Sequence, residues 1–519
     1  MRQPLLRAGV VLVVLAALGW ILLGSGTRAH TRRTVVVLAR DAPPVQESVT
    51  VSSAASAPPI APSFLGFSVE YQSIAVNAGS PSAPDTVFDR LVTNLNPGQH
   101  PVIRIGGDSS DHSWWPVPGH ASPGLTFALT PAWVADVAGF ARRTDARLIL
   151  GINLEMNNPQ LAAVEARHLL AGIGAAHILQ WEVGNEPNLF AVFPWYLATP
   201  GNPASGVFVR PRNYSVAQYL KEFRATAQQL PHLPLAGPAL GSAKWMQQTE
   251  PLIRHYPGLA DITYHSYPLT CFAPKGSPIS GTIPNLLSPN SSDALAAGDA
   301  GFAAQARAAG KTFRVDELNS VSCGGKSGVS DTFASSLWMT DALFAMARAG
   351  VSGVNVQDFN GGRYKPFGFV DHNGHWSAHV YPVYYGMQLF ADAAPAGSQL
   401  LHLTTSGSGS VRAWAARTPV SSADHGATTV TLINPSLHAT QTVRVQVPGF
   451  HRGQLMRMTA PGGAAAKDGV SLGGLHYAEA TTSGTLTGTP ASATVTPDSH
   501  GAVVLSLPPA SAALLTLDR

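Results

Sequence analysis

Eight short apolar runs, at 64–69, 102–105, 148–152, 178–183, 233–236, 262–264, 312–315 and 354–356, recur along the chain. Each is rich in aliphatic or β-branched residues and stops at polar or glycine positions, as buried strands do. Between them lie Ala- and Leu-rich stretches such as 159–171, 216–229, 293–309 and 332–349. Polar residues fall on one face of each, which predicts helices, and Asp331 or Ser330 is expected to cap the last. A helix after every strand returns the chain to start the next strand in the same direction. The alternation therefore predicts an α/β fold, a parallel (β/α)8 TIM barrel. A doubly wound open sheet is the competing architecture, but the first strand-to-helix turn lacks the glycine fingerprint of a nucleotide site.

After about Gln388 the pattern changes to strands alone, at 410–417, 428–434, 442–447, 492–496 and 502–507. Gly, Pro, Ser and Asn separate them, and the ending at 507–517 reads as a last hairpin. This predicts a second, smaller antiparallel β-sandwich over 389–519 behind a catalytic barrel over 61–388. The stretch 34–60 is also strand-like and is expected to join that sandwich; the alternative is an ordered linker. With 45% apolar and only 12% charged residues in 519, the chain can build cores of this size.

The first 33 residues read as an export signal or membrane anchor followed by a linker. Arg2 and Arg7 precede an apolar run over 8–23, slightly long for a cleaved signal and slightly short for a spanning helix. The protein is thus expected outside the cytoplasm, secreted or anchored. The formal net charge is only +3, and no stripe of Lys and Arg runs along any element, which argues against nucleic acid as a partner. The chain has two cysteines, Cys271 and Cys323, which in an exported protein form one disulfide or remain two buried thiols.

Acidic residues at strand ends carry the chemistry. In a barrel of this type the C-terminal ends of the strands point side chains into the active site. Glu186 ends the fourth strand in Trp181-Glu182-Val183-Gly184-Asn185-Glu186-Pro187, and Glu317 ends the seventh in Arg314-Val315-Asp316-Glu317-Leu318. Two carboxyls across one barrel mouth suit glycosidic bond cleavage: one attacks the anomeric carbon while the other protonates the leaving oxygen. Glu186 is the candidate acid/base and Glu317 the candidate nucleophile. Asn185 would hold the sugar 2-hydroxyl, Arg104 at the end of the second strand would keep Glu317 charged, and Tyr267 would donate to the same carboxylate. His265 is read as a supporting hydrogen-bonding residue. Glu155, Glu182 and Asp316 are read as surface ion pairs, the ordinary fate of an isolated strand-end carboxylate. No histidine spacing indicates a metal site, no nucleotide or dinucleotide fingerprint occurs, and no serine sits in a nucleophile elbow.

At these residues the sequence resembles the clan of retaining barrel glycosidases with catalytic glutamates on strands four and seven. More narrowly it resembles glycoside hydrolase family 79, the β-glucuronidase and heparanase-like enzymes, from about Phe64 to the C-terminus. Asn185-Glu186-Pro187 is common to the clan, and three further stretches narrow the resemblance. Glu70 in Phe67-Ser68-Val69-Glu70-Tyr71 and Asp108 after Gly106-Gly107 match positions that hold sugar hydroxyls. Cys323-Gly324-Gly325-Lys326 and Asn360-Gly361-Gly362-Arg363-Tyr364 match the loops that hold the glucuronate carboxylate, through backbone N–H groups of the first and a tyrosine of the second. Glycine backbone suits such a concavity because no Cβ blocks the anion. The same alignment sets Cys271 and Cys323 on neighbouring loops of one barrel face and implies a disulfide bracing the carboxylate loop.

The resemblance implies an exo-acting, retaining β-glucuronidase that works by double displacement and needs no cofactor. Its partner would be a glycoside or polysaccharide containing glucuronic acid. The alternatives are a heparanase-like endo-glucuronidase on an acidic polysaccharide, or a non-catalytic carbohydrate-binding surface protein.

Overall fold

The computed structural model describes residues 45–420 and 426–518. Eight parallel strands close into a barrel: Leu65–Glu70, Val102–Gly106, Arg147–Ile152, Ile178–Val183, Leu235–Leu240, Leu259–Ser266, Thr312–Leu318 and Gly353–Asp358. Closure occurs between the eighth and first strands, where Val354 pairs with Leu65 and Asp358 with Val69. The first, second, fifth and eighth strands are buried along their whole length. Helices cover one side of the sheet and interior side chains fill the other, so these strands are largely apolar, with Ser68, Glu70, Arg104, Asn355, Gln357 and Asp358 as buried polar exceptions.

Local signals start the helices where the chain needs them. Thr130 accepts a hydrogen bond from the Trp133 N–H ahead of Pro131–Thr144, and Asn158 accepts one from Leu161 ahead of Pro159–Ile173. Each helix also begins with proline, whose missing N–H costs nothing in a first turn. The helix after the seventh strand, Phe333–Arg348, departs from the expected cap. Thr332 occupies the cap position without a side-chain cap bond. Asp331 instead accepts from the Gly328 N–H at 2.6 Å and from Lys467 Nζ at 2.8 Å, tying the preceding loop to the sandwich.

That helix is buried on nearly every face because it lies between barrel and sandwich. Trp414 of the sandwich donates from Nε1 to Asp341 at 2.7 Å, and its ring stacks on Phe344 at 5.5 Å. Helix continues past the expected boundary at Gln388, through Pro382–Ala393, before the first sandwich strand, Gln399–Gly407.

Strand Glu47–Ala55 pairs antiparallel with Gln399–Gly407 and parallel with Gln441–Gln446, so the sandwich is completed by chain from before the barrel. The stretch 34–44 and the apolar N-terminal segment lie outside the described residues. Among the described residues no helix is long and apolar enough to cross a membrane. The expected last hairpin does not form. Ala502–Leu507 pairs with Gln441–Gln446, whereas Ser511–Asp518 pairs with Thr428–Asn434 and Arg452–Thr459. The burial of the two strands explains the split: the first alternates, as a one-sided strand does, while the second is buried along most of its length. Between them Pro508 and Pro509 lack the N–H groups a tight hairpin ladder would use.

Candidate active site

Glu186 and Glu317 converge on the C-terminal mouth of the barrel, in a cleft of about 1470 Å³. One ring nitrogen links them. His265 Nδ1 lies 3.0 Å from Glu186 Oε1 and 3.7 Å from Glu317 Oε2. These two oxygens are therefore at most about 7 Å apart, which admits the roughly 5–5.5 Å of a retaining pair.

Glu186 has a left-handed backbone, φ 45° and ψ 52°, uncommon for a side chain with a Cβ. The Glu186 N–H donates to the Ala239 carbonyl at 2.9 Å, which holds the turn. Gly241, after the fifth strand, makes room for the carboxyl: a Cβ there would stand 2.2 Å from Glu186 Oε1. Asp111 supports the same turn from below. Its Oδ2 accepts from the Asn185 N–H at 2.7 Å, and its Oδ1 from the Leu154 and Glu155 N–H groups at 2.8 and 3.1 Å.

Glu317 is held by two donors. Arg104 Nη1 donates to Oε2 at 3.0 Å and the Tyr267 hydroxyl donates to Oε1 at 2.5 Å. Burial, then the Glu317 carboxylate, push the Tyr267 phenol well above its usual range, so it stays protonated and remains a donor. Arg104 is fully buried and contacts Glu182 Oε2 at 2.5 Å, Asp316 Oδ2 at 3.2 Å, Ser68 Oγ at 3.0 Å and Asn185 Oδ1 at 2.8 Å. Burial alone would lower its pKa, but the Glu182, Asp316 and Glu317 carboxylates overcome this and raise it.

Glu182 and Asp316 correct the surface-ion-pair expectation. Both are fully buried beneath the cleft around Arg104. Burial and then Asp316 push Glu182 up to about 8 against the pull of Arg104. Burial would also raise Asp316, yet Arg104 and His265 hold it at about 2. His265 is raised well above its usual value, because Glu317 and Asp316 outweigh its burial. Beneath the cleft, Arg104 and His265 thus stand against Asp316 and Glu317. Glu155 likewise is no surface residue: it lines the cleft, and burial followed by Asp111 raise it to about 9.

The remaining candidate residues divide by barrel position. Glu70 lies at the end of the first strand, where Ser109 N–H donates to Oε2 at 2.9 Å and Gln357 Nε2 to Oε1 at 3.1 Å. Burial, then Asp108, raise it to about 7. Asp108 stands opposite Glu186 and Glu317; loss of surrounding water and then those two carboxylates raise it to about 6. Asn185 spends its Oδ1 on Arg104, and its Nδ2 faces Asp108 Oδ1 at 3.4 Å. Gln357, on the eighth strand, has no catalytic signature in the sequence; its contact with Glu70 becomes visible only when the barrel closes.

Cys271 and Cys323 are bonded to each other. Cys323, Gly324 and Gly325 follow one another with φ of 63°, 83° and 82°. Gly324 lines the cleft, and its carbonyl accepts from the Arg363 N–H at 2.6 Å. Gly325 does not reach the cleft. It packs beneath Tyr364, where a Cβ would stand 2.9 Å from the Tyr364 nitrogen. Tyr364 faces Tyr267 at 6.2 Å between ring centroids, and burial followed by Glu317 keep its phenol protonated. Among the described residues no group of three or more His, Cys, Asp or Glu side chains is arranged to hold a metal ion.

No family model matches the chain. A β-glucuronidase of Neurospora crassa is 26% identical over 204 residues, 35% of this chain and 34% of that protein. One from Aspergillus niger is 24% identical over 252 residues, 44% of this chain and 42% of that protein. The matches thus span less than half of those relatives. Among solved structures, a 4-O-α-L-rhamnosyl-β-D-glucuronidase from Fusarium oxysporum superposes with a TM-score of 0.67 at 18% identity, covering 90% of this chain and 100% of that one. A GH51 arabinofuranosidase from Xanthomonas axonopodis gives 0.60 at 15% identity, covering 92% and 100%. The chain therefore shares the barrel-and-sandwich fold of these glycosidases.

Proposed function

We propose that the chain is a retaining glycoside hydrolase that removes a terminal β-linked glucuronic acid; both curated relatives are named β-glucuronidases, and one structural neighbour a 4-O-α-L-rhamnosyl-β-D-glucuronidase. The observation that carries this reading is the convergence of Glu186 and Glu317 on one nitrogen of His265. Glu317, paired with Arg104 and oriented by Tyr267, attacks the anomeric carbon. Glu186 gives its proton to the glycosidic oxygen, and the bond to the leaving group breaks. Glu186 then takes a proton from water, whose oxygen attacks the same carbon and frees Glu317.

The glucuronate carboxylate would meet the backbone N–H of the loop at Gly324 and the Tyr364 hydroxyl. The Gly324 N–H, in the cleft lining, has no partner among the described residues, which leaves a donor for an anion. Glu70 and Asp108 would take sugar hydroxyls.

Endo-cleavage of a sulfated polysaccharide fits the cleft less well. Its lining holds Glu70, Asp108, Asp111, Glu155, Asp299 and the catalytic pair, and among the described residues no Lys or Arg. The sulfates of a polyanion would find no cationic partner in that lining. The Cys271–Cys323 disulfide and the N-terminal basic and apolar segment support export from the cytoplasm.

The reading is tested with an aryl β-glucuronide, its β-glucoside counterpart and product stereochemistry followed by NMR. β-Glucuronic acid as first product, with activity abolished in Glu317→Gln, is expected. An α first product, or faster cleavage of the glucoside, would overturn the reading.

A further inference from the structure

Phe193 and Phe272 are 45% and 72% exposed, yet their rings stack on each other at 6.3 Å with 25° between planes. They come from different loops, Phe193 after the fourth barrel strand and Phe272 after the sixth. Val192 beside them is 59% exposed, and all three line the cleft that holds the two glutamates. Isolated exposed apolar side chains are ordinary, but a paired aromatic platform built from two loops inside a cleft is not.

The barrel assigns a direction to this platform. Glu70, Asp108, Gln357, Tyr364 and Gly324 come from the first, second, eighth and seventh strands or the loops behind them. Phe193 and Phe272 flank the fifth strand on the other side of the mouth. Glu186 stands between, only seven positions before Phe193 in the same loop. A general acid protonates the oxygen that departs with the leaving group, so chain on its far side faces that group.

We infer that Phe193 and Phe272 form the leaving-group subsite, and that the substrates are glucuronides of flat, apolar, ring-bearing alcohols. This rests on the glucuronidase reading for the sugar half of the cleft alone. The apolar side chains of the leaving-group half, Leu189, Val192, Phe193, Phe272, Ala294 and Leu295, match an apolar ring face, while the nearby polar Thr270 and Asp299 already accept hydrogen bonds from Ser322 and Ser266. The platform is tied to the sugar-side loop: Cys271 and Cys323, next to Phe272 and Gly324, are disulfide-bonded.

The test uses the full-length protein and the double variant Phe193→Ala/Phe272→Ala. Both rings are exposed, so folding should survive, and a thermal melt checks it. The substrates are a naphthyl glucuronide, a phenyl glucuronide of matched leaving-group acidity, methyl glucuronide and a glucuronosyl-hexose disaccharide. The expected outcome is a loss in kcat/KM of about tenfold or more on the naphthyl substrate, a smaller loss on phenyl and almost none on methyl. Equal losses on all four, no loss on naphthyl, or the largest loss on the disaccharide would each overturn the inference. Binding of free 2-naphthol, followed by calorimetry in both proteins, separates this inference from the glucuronidase reading. If the wild type cleaves no glucuronide but binds naphthol about tenfold tighter than the double variant, the platform stands and the sugar assignment falls. Equal naphthol binding by the two proteins overturns the platform whatever the sugar.

Discussion

Nδ1 of His265 lies 3.0 Å from Oε1 of Glu186, so one oxygen of the candidate acid is engaged from below while the other is left for the leaving group. Glu186→Gln keeps an oxygen for that contact but has no proton to give. Its kcat is expected to fall by roughly 10²–10⁴-fold on an alkyl glucuronide, the range of general acid catalysis. On an aryl glucuronide whose phenolate departs unaided, the first step should fall far less. A plot of rate against leaving-group acidity checks this, and a uniform loss across the series would remove Glu186 from the acid role.

Arg104 is buried with Glu182, Asp316 and Glu317 around it. Arg104→Gln leaves buried carboxylates without their counter-charge. The expected cost is about 3–5 kcal/mol of folding stability, as for other broken buried ion networks. Urea melts measure it. A loss under about 1 kcal/mol would mean the carboxyls simply take up protons in its absence.

Glucuronate binding should weaken as pH rises. Glu70, raised to about 7 by burial and then Asp108, is largely neutral at pH 5. Its deprotonation around pH 7 adds negative charge beside an anionic sugar. The Kd for D-glucuronate is expected to rise roughly tenfold between pH 5.5 and 7.5, and that for D-glucose much less. Calorimetric titrations at the two pH values decide, and Glu70→Gln should flatten the upper part of the curve.

Tyr364→Phe removes a hydroxyl and almost no volume. Hydrogen bonds to charged groups contribute about 1.5–3 kcal/mol. The preference for an aryl glucuronide over the matching glucoside should therefore narrow by roughly 10–100-fold. An unchanged ratio of kcat/KM would mean the phenol does not touch the carboxylate.

The Cys271–Cys323 bond closes a loop of sequence separation 52 and joins the segments bearing Phe272 and Gly324. The double variant Cys271→Ser/Cys323→Ser is expected to lose about 2–4 kcal/mol of stability. Its KM for glucuronides should rise more than its kcat falls, since the loops that bind are freed and the strand-end glutamates are not. Melts and initial rates with and without reductant on the wild type give the same comparison.

The barrel was legible in the linear chain because burial on both faces turns a strand into a short, mostly apolar run, and because Ala- and Leu-rich helical stretches alternate with those runs. Glu186 and Glu317 stood out for the same reason: a carboxylate at the end of such a run faces the mouth. What Glu182 and Asp316 do was not legible. A carboxylate has the same letter whether it meets water or a buried guanidinium, and Arg104 reaches both only through barrel closure. Gln357 and the Phe193–Phe272 pair stayed hidden likewise, since their partners lie across the barrel, and so did the last two strands, whose proximity in sequence suggested a pairing that burial overrides. Local periodicity and backbone chemistry are written residue by residue. Burial, charge pairing and the shape of a cleft depend on which distant segments fold against one another, and folding alone decides that.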